Sequence, residues 1–191
     1  MATLTFYNDR CDPASQSIML LLAAKQIPHE KVDIKGDSEN AAGIQNGNGR
    51  AVSYLAALDV VKSDLNEEQK KFLEYFMKNI QPLFYRTVLT GNPREGLDLF
   101  FEALSYLENR LTSGPYFGGK SPDILDYGLF PWIEKIGSWM PEIDHHECLK
   151  LQSWVRRMRD EPVVSKVMPS PDQTSFNTYK QSLAIKMEGK V

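Results

Sequence analysis

The sequence predicts an α+β protein, with a short βαβ front end followed by a body that is helical almost without pause. Three observations carry this. Thr3 to Tyr7 alternate polar and apolar with β-forming residue types, which is the period of a strand. After Pro13, Ile18, Leu21, Leu22 and Lys25 step forward at helical spacing. From Asn66 to about Asp160, apolar residues recur three and four apart, the stripe of helices packed on a core.

Composition bounds the function classes. The 191 residues lie between one and two units at ~150 residues per domain. Hydrophobic residues at 42% and charged residues at 25% suit a globular chain that buries a core, and exclude a mostly disordered one. Lys and Arg total 22 against 25 Asp and Glu, a net charge of −3. That balance predicts neither a nucleic-acid footprint nor a polybasic membrane patch. The longest apolar run, Ile18 to Ala24, falls far short of the ~20 residues of a membrane span. The opening Met-Ala-Thr-Leu-Thr has no basic n-region and no apolar h-region, so no secretory signal is expected. Two cysteines, Cys11 and Cys148, cannot frame a disulfide scaffold. Together these predict a reduced, cytoplasmic protein. No internal repeat is evident.

Taken in order, the first strand is broken by Asn8 to Pro13. Pro13 suits the first turn of a helix, where its missing N–H is no loss, and Asp12 is placed to cap it. That helix should run to about Gln26, and His29 to Ile34 reads as a second strand, parallel to the first. Gly36 to Gly49, rich in glycine and asparagine, reads as a loop. Arg50 to Ser53 reads as a short strand and Tyr54 to Val61 as a short helix. Phe72, Phe76, Ile80 and Phe84 then fall four apart on one helix. A second helix carries Leu97, Phe100, Phe101, Leu104, Leu107 and Leu111, and ends at the loop Thr112 to Lys120. A third starts at Asp123, with Asp126 at the third helical position completing a capping box, and Pro131 should kink it. A fourth, about Glu147 to Asp160, should bury Leu151, Trp154, Val155 and Met158. The tail from Pro162 is broken by Pro169 and Pro171, and regains helix from Ser175.

Three stretches carry a family resemblance. FYNDRCDPASQSIMLLLAAKQIPHE resembles the first βαβ unit of the cytosolic glutathione transferases, in particular the omega class. PYFGGKSPDILDYGLFPWIEK is similar to an omega-class helix with its preceding loop, and DEPVVSKVMPSPDQ resembles insect members. The resemblance covers residues 3–35 and about 66–180. It implies a truncated thioredoxin-like βαβ N-terminal domain that binds glutathione, followed by an all-helical C-terminal domain. The expected division is 1–61 for the shortened domain and 62–191 for the helical one. The implied activity is glutathione-dependent thiol transfer and dehydroascorbate reduction, with glutathione as co-substrate, usually in a homodimer. The implied partners are a small-molecule electrophile, a disulfide or dehydroascorbate.

The chemistry at the front is a thiol at a strand-to-helix turn. A helix N-terminus carries about +0.5 charge equivalents and favours thiolate. A thiolate attacks a disulfide, or forms one with glutathione that a second glutathione reduces. Cys11 sits within one residue of such a terminus and is the candidate nucleophile. In the omega pattern the active Cys directly precedes a Pro. Here Asp12 holds that position and Cys11 is one residue early. The neighbouring carboxylate opposes ionisation of the thiol.

A second departure concerns the cradle. The family has a helix after the second strand, then a Val-Pro pair, then a Glu-Ser pair, which together hold glutathione. No Val-Pro follows Ile34 in the front end, and the chain has no Glu-Ser pair. Residues 36–48 thus read as replacing a helix and a strand, and residues 50–54 as the family's fourth strand without its Glu-Ser. Pro13, Arg50 and Ser53 are the remaining candidates on the glutathione side. Trp132, Lys135 and Phe176 match positions near the co-substrate cleft. His145 and His146, being adjacent, lack the spacing of a metal site and read as a solvated helix start. Two classes follow: an omega-like transferase acting through Cys11, or a non-catalytic binding or scaffold relative that kept the helical body and lost the cradle.

Overall fold

The structure is a computed structural model and describes residues 4–33, 43–45, 51–52, 65–90, 97–111, 114–139, 148–168 and 180. Strand β1 is Leu4–Asn8, helix α1 Pro13–Ala24 and strand β2 His29–Asp33. β1 and β2 are parallel, with Phe6 opposite Lys31, as the strand–helix–strand order requires. Strand β3, Gly43–Gln45, pairs antiparallel with β1, placing Ile44 opposite Phe6. Strand β4, Ala51–Val52, pairs antiparallel with β3. The sheet order is β2-β1-β3-β4.

β3 corrects the loop expected over residues 36–49, and with it the view that residues 36–48 replace a strand as well as a helix. Three residues are too few to show a period, and the strand exists because β1 offers it an open edge. β4 falls within the short strand expected from the sequence. The helix expected over residues 54–61 and the tail helix from Ser175 lie outside the described residues.

The helical body begins with α2, Glu67–Tyr75. Asn66 accepts the Gln69 amide N–H at 2.9 Å while the Gln69 side chain accepts the Asn66 N–H at 2.9 Å, a reciprocal capping box. The chain continues through a π-helical turn, Phe76–Ile80, into α3, Gln81–Thr90. Within the turn the Gln81 N–H reaches back five residues to the Phe76 carbonyl. This explains the four-residue spacing of Phe72, Phe76, Ile80 and Phe84, all at most 1% exposed. Four residues of α-helix overshoot a full turn by about 40°, so such a stripe would wind off the core. A wider turn under-rotates and brings it back.

Helix α4 is Leu97–Arg110, α5 Ile124–Trp139, α6 Leu149–Asp160 and α7 Pro162–Val167. On α4, Phe100, Ala103, Leu104, Leu107 and Leu111 are buried, while Phe101 is 37% exposed. Phe101 lies beside the face that the three- and four-residue steps define. α5 runs through Pro131 without ending. On α6, Leu151, Trp154 and Met158 are buried and Val155 is partly so. α7 occupies the start of the tail, ahead of Pro169 and Pro171. Glu161 caps it, accepting the Val163 N–H at 2.8 Å, and Pro162 fills the first position.

Helix α1 joins the two parts. Every residue from Pro13 to Leu22 is buried, and its main partner is α5. Its polar residues make local bonds. Ser15 Oγ accepts the Asp9 N–H at 2.9 Å, Gln16 Nε2 donates to the Arg10 carbonyl at 2.6 Å, and Ser17 Oγ donates to the Gly128 carbonyl of α5 at 2.7 Å.

At the start of α5, Asp126 is fully buried and its carboxylate accepts four donors. Oδ1 takes the Phe117 N–H at 2.9 Å and Trp154 Nε1 at 2.7 Å, and Oδ2 takes the Gly118 N–H at 2.9 Å and the Asp123 N–H at 3.0 Å. Asp123 completes the expected capping box by accepting the Asp126 N–H at 3.4 Å, and it also accepts Gln69 Nε2 at 2.6 Å. Burial, reinforced by the Asp126 charge, pushes the Asp123 carboxyl up to about 6. An ordinary Asp in the unfolded chain titrates near ~3.9. The folded state therefore holds the proton more tightly, so Asp123 favours folding below about pH 4 and loses that contribution as pH rises through about 6. Asp123→Asn, which keeps a good capping oxygen, is expected to flatten this fall. Urea midpoints of both proteins between pH 4 and 8 check it, and parallel profiles would refute it.

Candidate functional site

The turn from β1 to α1 is braced at each residue. Asn8 Nδ2 donates to Asp33 Oδ1 at 2.7 Å, and Arg10 pairs with Asp33 Oδ2 at 2.5 Å. Arg10 holds the Asp33 carboxyl below its usual range. Asp9 Oδ1 accepts the Cys11 N–H at 3.0 Å, and the Asp9 carbonyl accepts the Asp12 N–H at 3.2 Å. Cys11 is thus fixed through its backbone, half-buried, with its side chain against the core. Cys148 is buried at the start of α6, and no disulfide joins the two cysteines.

Asp12 caps α1 as expected, with Oδ2 accepting the Ser15 N–H at 3.2 Å. Its other oxygen faces the helical body, where the Tyr85 hydroxyl of α3 donates to it at 3.4 Å. Tyr85 stands at right angles to the Trp132 ring of α5, with centroids 5.4 Å apart. Lys135 follows Trp132 by three residues, one turn along α5. It is 3% exposed. Burial pushes its ammonium down, whereas the charges of Glu134 and Cys11 pull it back up. Glu134, also buried, is paired with Arg159 Nε of α6 at 3.2 Å.

Of the residues singled out in the sequence, Cys11, Pro13, Trp132 and Lys135 are described. Pro13 is the buried first residue of α1. Trp132 is fully buried among Phe76, Phe84 and Tyr85. Arg50, Ser53 and Phe176 lie outside the described residues, as do His145 and His146. Sequence reasoning misses Tyr85, whose link to Asp12 spans 73 positions. Only its place beside the Phe84 stripe hints at an inward ring. Among the described residues, no group of three or more His, Cys, Asp or Glu is placed to hold a metal ion.

The fold has close counterparts among known proteins. Residues 86–157 match the family "Glutathione S-transferase, C-terminal domain". The chain is 28% identical over 205 aligned positions to glutathione S-transferase omega-1 of Sus scrofa, covering 90% of this chain and 83% of that protein. Glutathione transferase Omega 3C of Trametes versicolor superposes with a TM-score of 0.78 at 16% identity, over 97% of this chain and 92% of that one. A glutathione transferase homologue of Drosophila mojavensis, solved with bound glutathione, superposes with a TM-score of 0.69 at 19% identity, over 98% of each chain. The front sheet is the thioredoxin-like part of this fold and the helices are its C-terminal part. In front end, helical body and relatives, the chain is similar to the glutathione transferases, and most of all to their omega class.

Proposed function

We propose that the chain is an omega-like glutathione transferase that carries out glutathione-dependent thiol transfer and dehydroascorbate reduction through Cys11. The observation that carries this reading is the placement of Cys11: a half-buried thiol at the start of α1, on a turn braced by Asp9 and Asp33. In this reading the Cys11 thiolate attacks the glutathione sulfur of a mixed disulfide. The old S–S bond breaks, its other sulfur leaves as thiolate, and Cys11 becomes glutathionylated. A second glutathione thiolate attacks that sulfur, restoring Cys11 and releasing glutathione disulfide. With dehydroascorbate, two glutathiones supply the two electrons and two protons that ascorbate gains.

Glutathione is the co-substrate, a reading supported by the glutathione bound in the Drosophila mojavensis homologue. Residues 1–61 form its domain, with Pro13, Arg50 and Ser53 on the glutathione side. Residues 62–191 supply the co-substrate pocket around Lys135, Trp132 and Phe176. The protein works in the cytoplasm as a homodimer.

The absent Val-Pro and Glu-Ser pairs favour a second reading, a glutathione-transferase-like binding or scaffold protein without turnover. One experiment separates the two. After incubation with glutathione disulfide, intact-mass and peptide mass spectrometry should show one glutathione on Cys11, removed by excess reduced glutathione. A chain that gains no adduct on Cys11 would follow the second reading.

A further inference from the structure

We propose that the groove between α5 and α6 is a binding site for an apolar α-amino acid. Glu134 takes its ammonium group, Arg156 and Arg159 take its carboxylate, and the apolar wall of the groove takes its side chain. The site is separate from Cys11 and does not depend on the proposed function.

The first observation is the groove itself. Its volume is about 360 Å³, inside the ~300–1,000 Å³ range of small-molecule sites. Buried Ile133 and Leu151 and half-buried Val155 form its apolar wall, and the exposed Gly137 leaves one side without a side chain. Successive residues turn about 100° round a helix. Ile133, Glu134 and Gly137 therefore lie on a different side of α5 from Gly128, which meets α1, and Trp132, which meets α3.

The second observation is the set of charges at the groove. The Glu134 side chain is 8% exposed and lines it. Its Oε1 pairs with Arg159 Nε at 3.2 Å, and among the described residues no hydrogen bond reaches Oε2. A carboxylate can accept about four hydrogen bonds, and burying one with few partners is costly. Burial raises the Glu134 carboxyl, while the charges of Arg159 and Lys135 lower it. Arg159 spends its Nε on Glu134, which leaves its two terminal nitrogens for another acceptor. Arg156, three residues earlier and so on the same side of α6, is exposed and has no ion pair among the described residues. Leu151, Val155 and Arg159 fall four apart along α6, so the apolar wall runs up to the charged end.

This arrangement selects the ligand. A plain organic anion would meet the two guanidiniums but be repelled by Glu134, and a plain amine would meet Glu134 but be repelled by the guanidiniums. A molecule that carries an ammonium and a carboxylate on one carbon satisfies both signs at once. An apolar side chain on that same carbon then extends along Val155 toward Leu151 and Gly137.

The test is calorimetric titration with three ligands: L-leucine, isocaproate, which lacks its amine, and isopentylamine, which lacks its carboxylate. L-Leucine should bind about tenfold or more tighter than either. Glu134→Gln should weaken L-leucine about tenfold or more and leave isocaproate as tight as before or tighter. Arg156→Gln should weaken L-leucine and isocaproate and leave isopentylamine unmoved. Gly137→Leu, which fills the groove, should remove binding of all three. No heat from L-leucine at millimolar concentration overturns the proposal, as does isocaproate binding as tightly as L-leucine. L-Leucine binding that survives unchanged in Arg156→Gln and Gly137→Leu also overturns it. Should Glu134→Gln fail to fold, the three ligands on the parent and the two variants at exposed positions decide. The titration uses neither glutathione nor the Cys11 thiol, so its failure is distinct from failure to form the glutathione adduct.

Discussion

Asp126→Ala is expected to cost about 4 kcal/mol or more of folding stability, at the far end of what single substitutions do. The carboxylate is fully buried and receives the Phe117, Gly118 and Asp123 N–H groups together with Trp154 Nε1. Removing it leaves four donors unmet, and each buried unmet donor costs about 1–3 kcal/mol. Water entering from the half-buried loop offsets part of that. Trp154 cannot simply turn outward, because its ring is packed at 5.1 Å from Phe117 and 6.1 Å from Phe130. A domain of this size is stable by about 5–15 kcal/mol, so the loss takes a large share. Asp126→Asn should fare little better, since its amide nitrogen would meet donors with a donor. Urea unfolding followed by tryptophan fluorescence measures this. A midpoint for Asp126→Ala close to that of the parent would mean that the four bonds contribute little net stability.

Cys11→Ser is expected to reduce thiol transfer to the level of a protein-free blank. A serine oxygen cannot form the glutathione mixed disulfide, and its proton is held far more tightly than a thiol's at neutral pH. The fold should be nearly unaffected, because the bond that Cys11 makes to Asp9 runs from its backbone N–H. The expected change in unfolding free energy is within about 1 kcal/mol. Reduction of a model mixed disulfide by glutathione, assayed beside thermal unfolding, checks both halves. A folded Cys11→Ser protein that still turns over would place the nucleophile elsewhere and remove the ground for the proposed mechanism.

Local signals in the sequence carry the helices and the parallel strand pair. Pro13 and Asp12 mark the start of α1, and the Asp123–Asp126 box marks the start of α5. What is not legible depends on partners distant in the chain. β3 is three residues of a glycine-rich segment, and it is a strand only because Thr5, Phe6 and Tyr7 pair with it. The π turn is hidden in a spacing that an α-helix would also carry for two turns. Helix α7 does have a local sign, Glu161 before Pro162, masked by the prolines that follow. At the site, Asp12 stands out in the sequence as a cap, yet its link to Tyr85 arises only when the helical body docks on α1. The four donors gathered on Asp126 come from the preceding loop, its own capping box and α6, and only the box can be read locally.

The place of β2 at one end of the sheet also bears on how the protein behaves at high concentration. Among the described residues β2 pairs only with β1, so its far side presents unpaired backbone groups that a strand from another molecule could join. Its sequence, His-Glu-Lys-Val-Asp, answers this with charge: Glu30, Lys31 and Asp33 are all exposed. An incoming strand would have to desolvate those charges, and in a second copy of this chain it would bring the same ones. One strand inward, Phe6 of β1 is fully buried. The front end thus carries its own guard against edge-to-edge aggregation, built from a strand none of whose residues is fully buried.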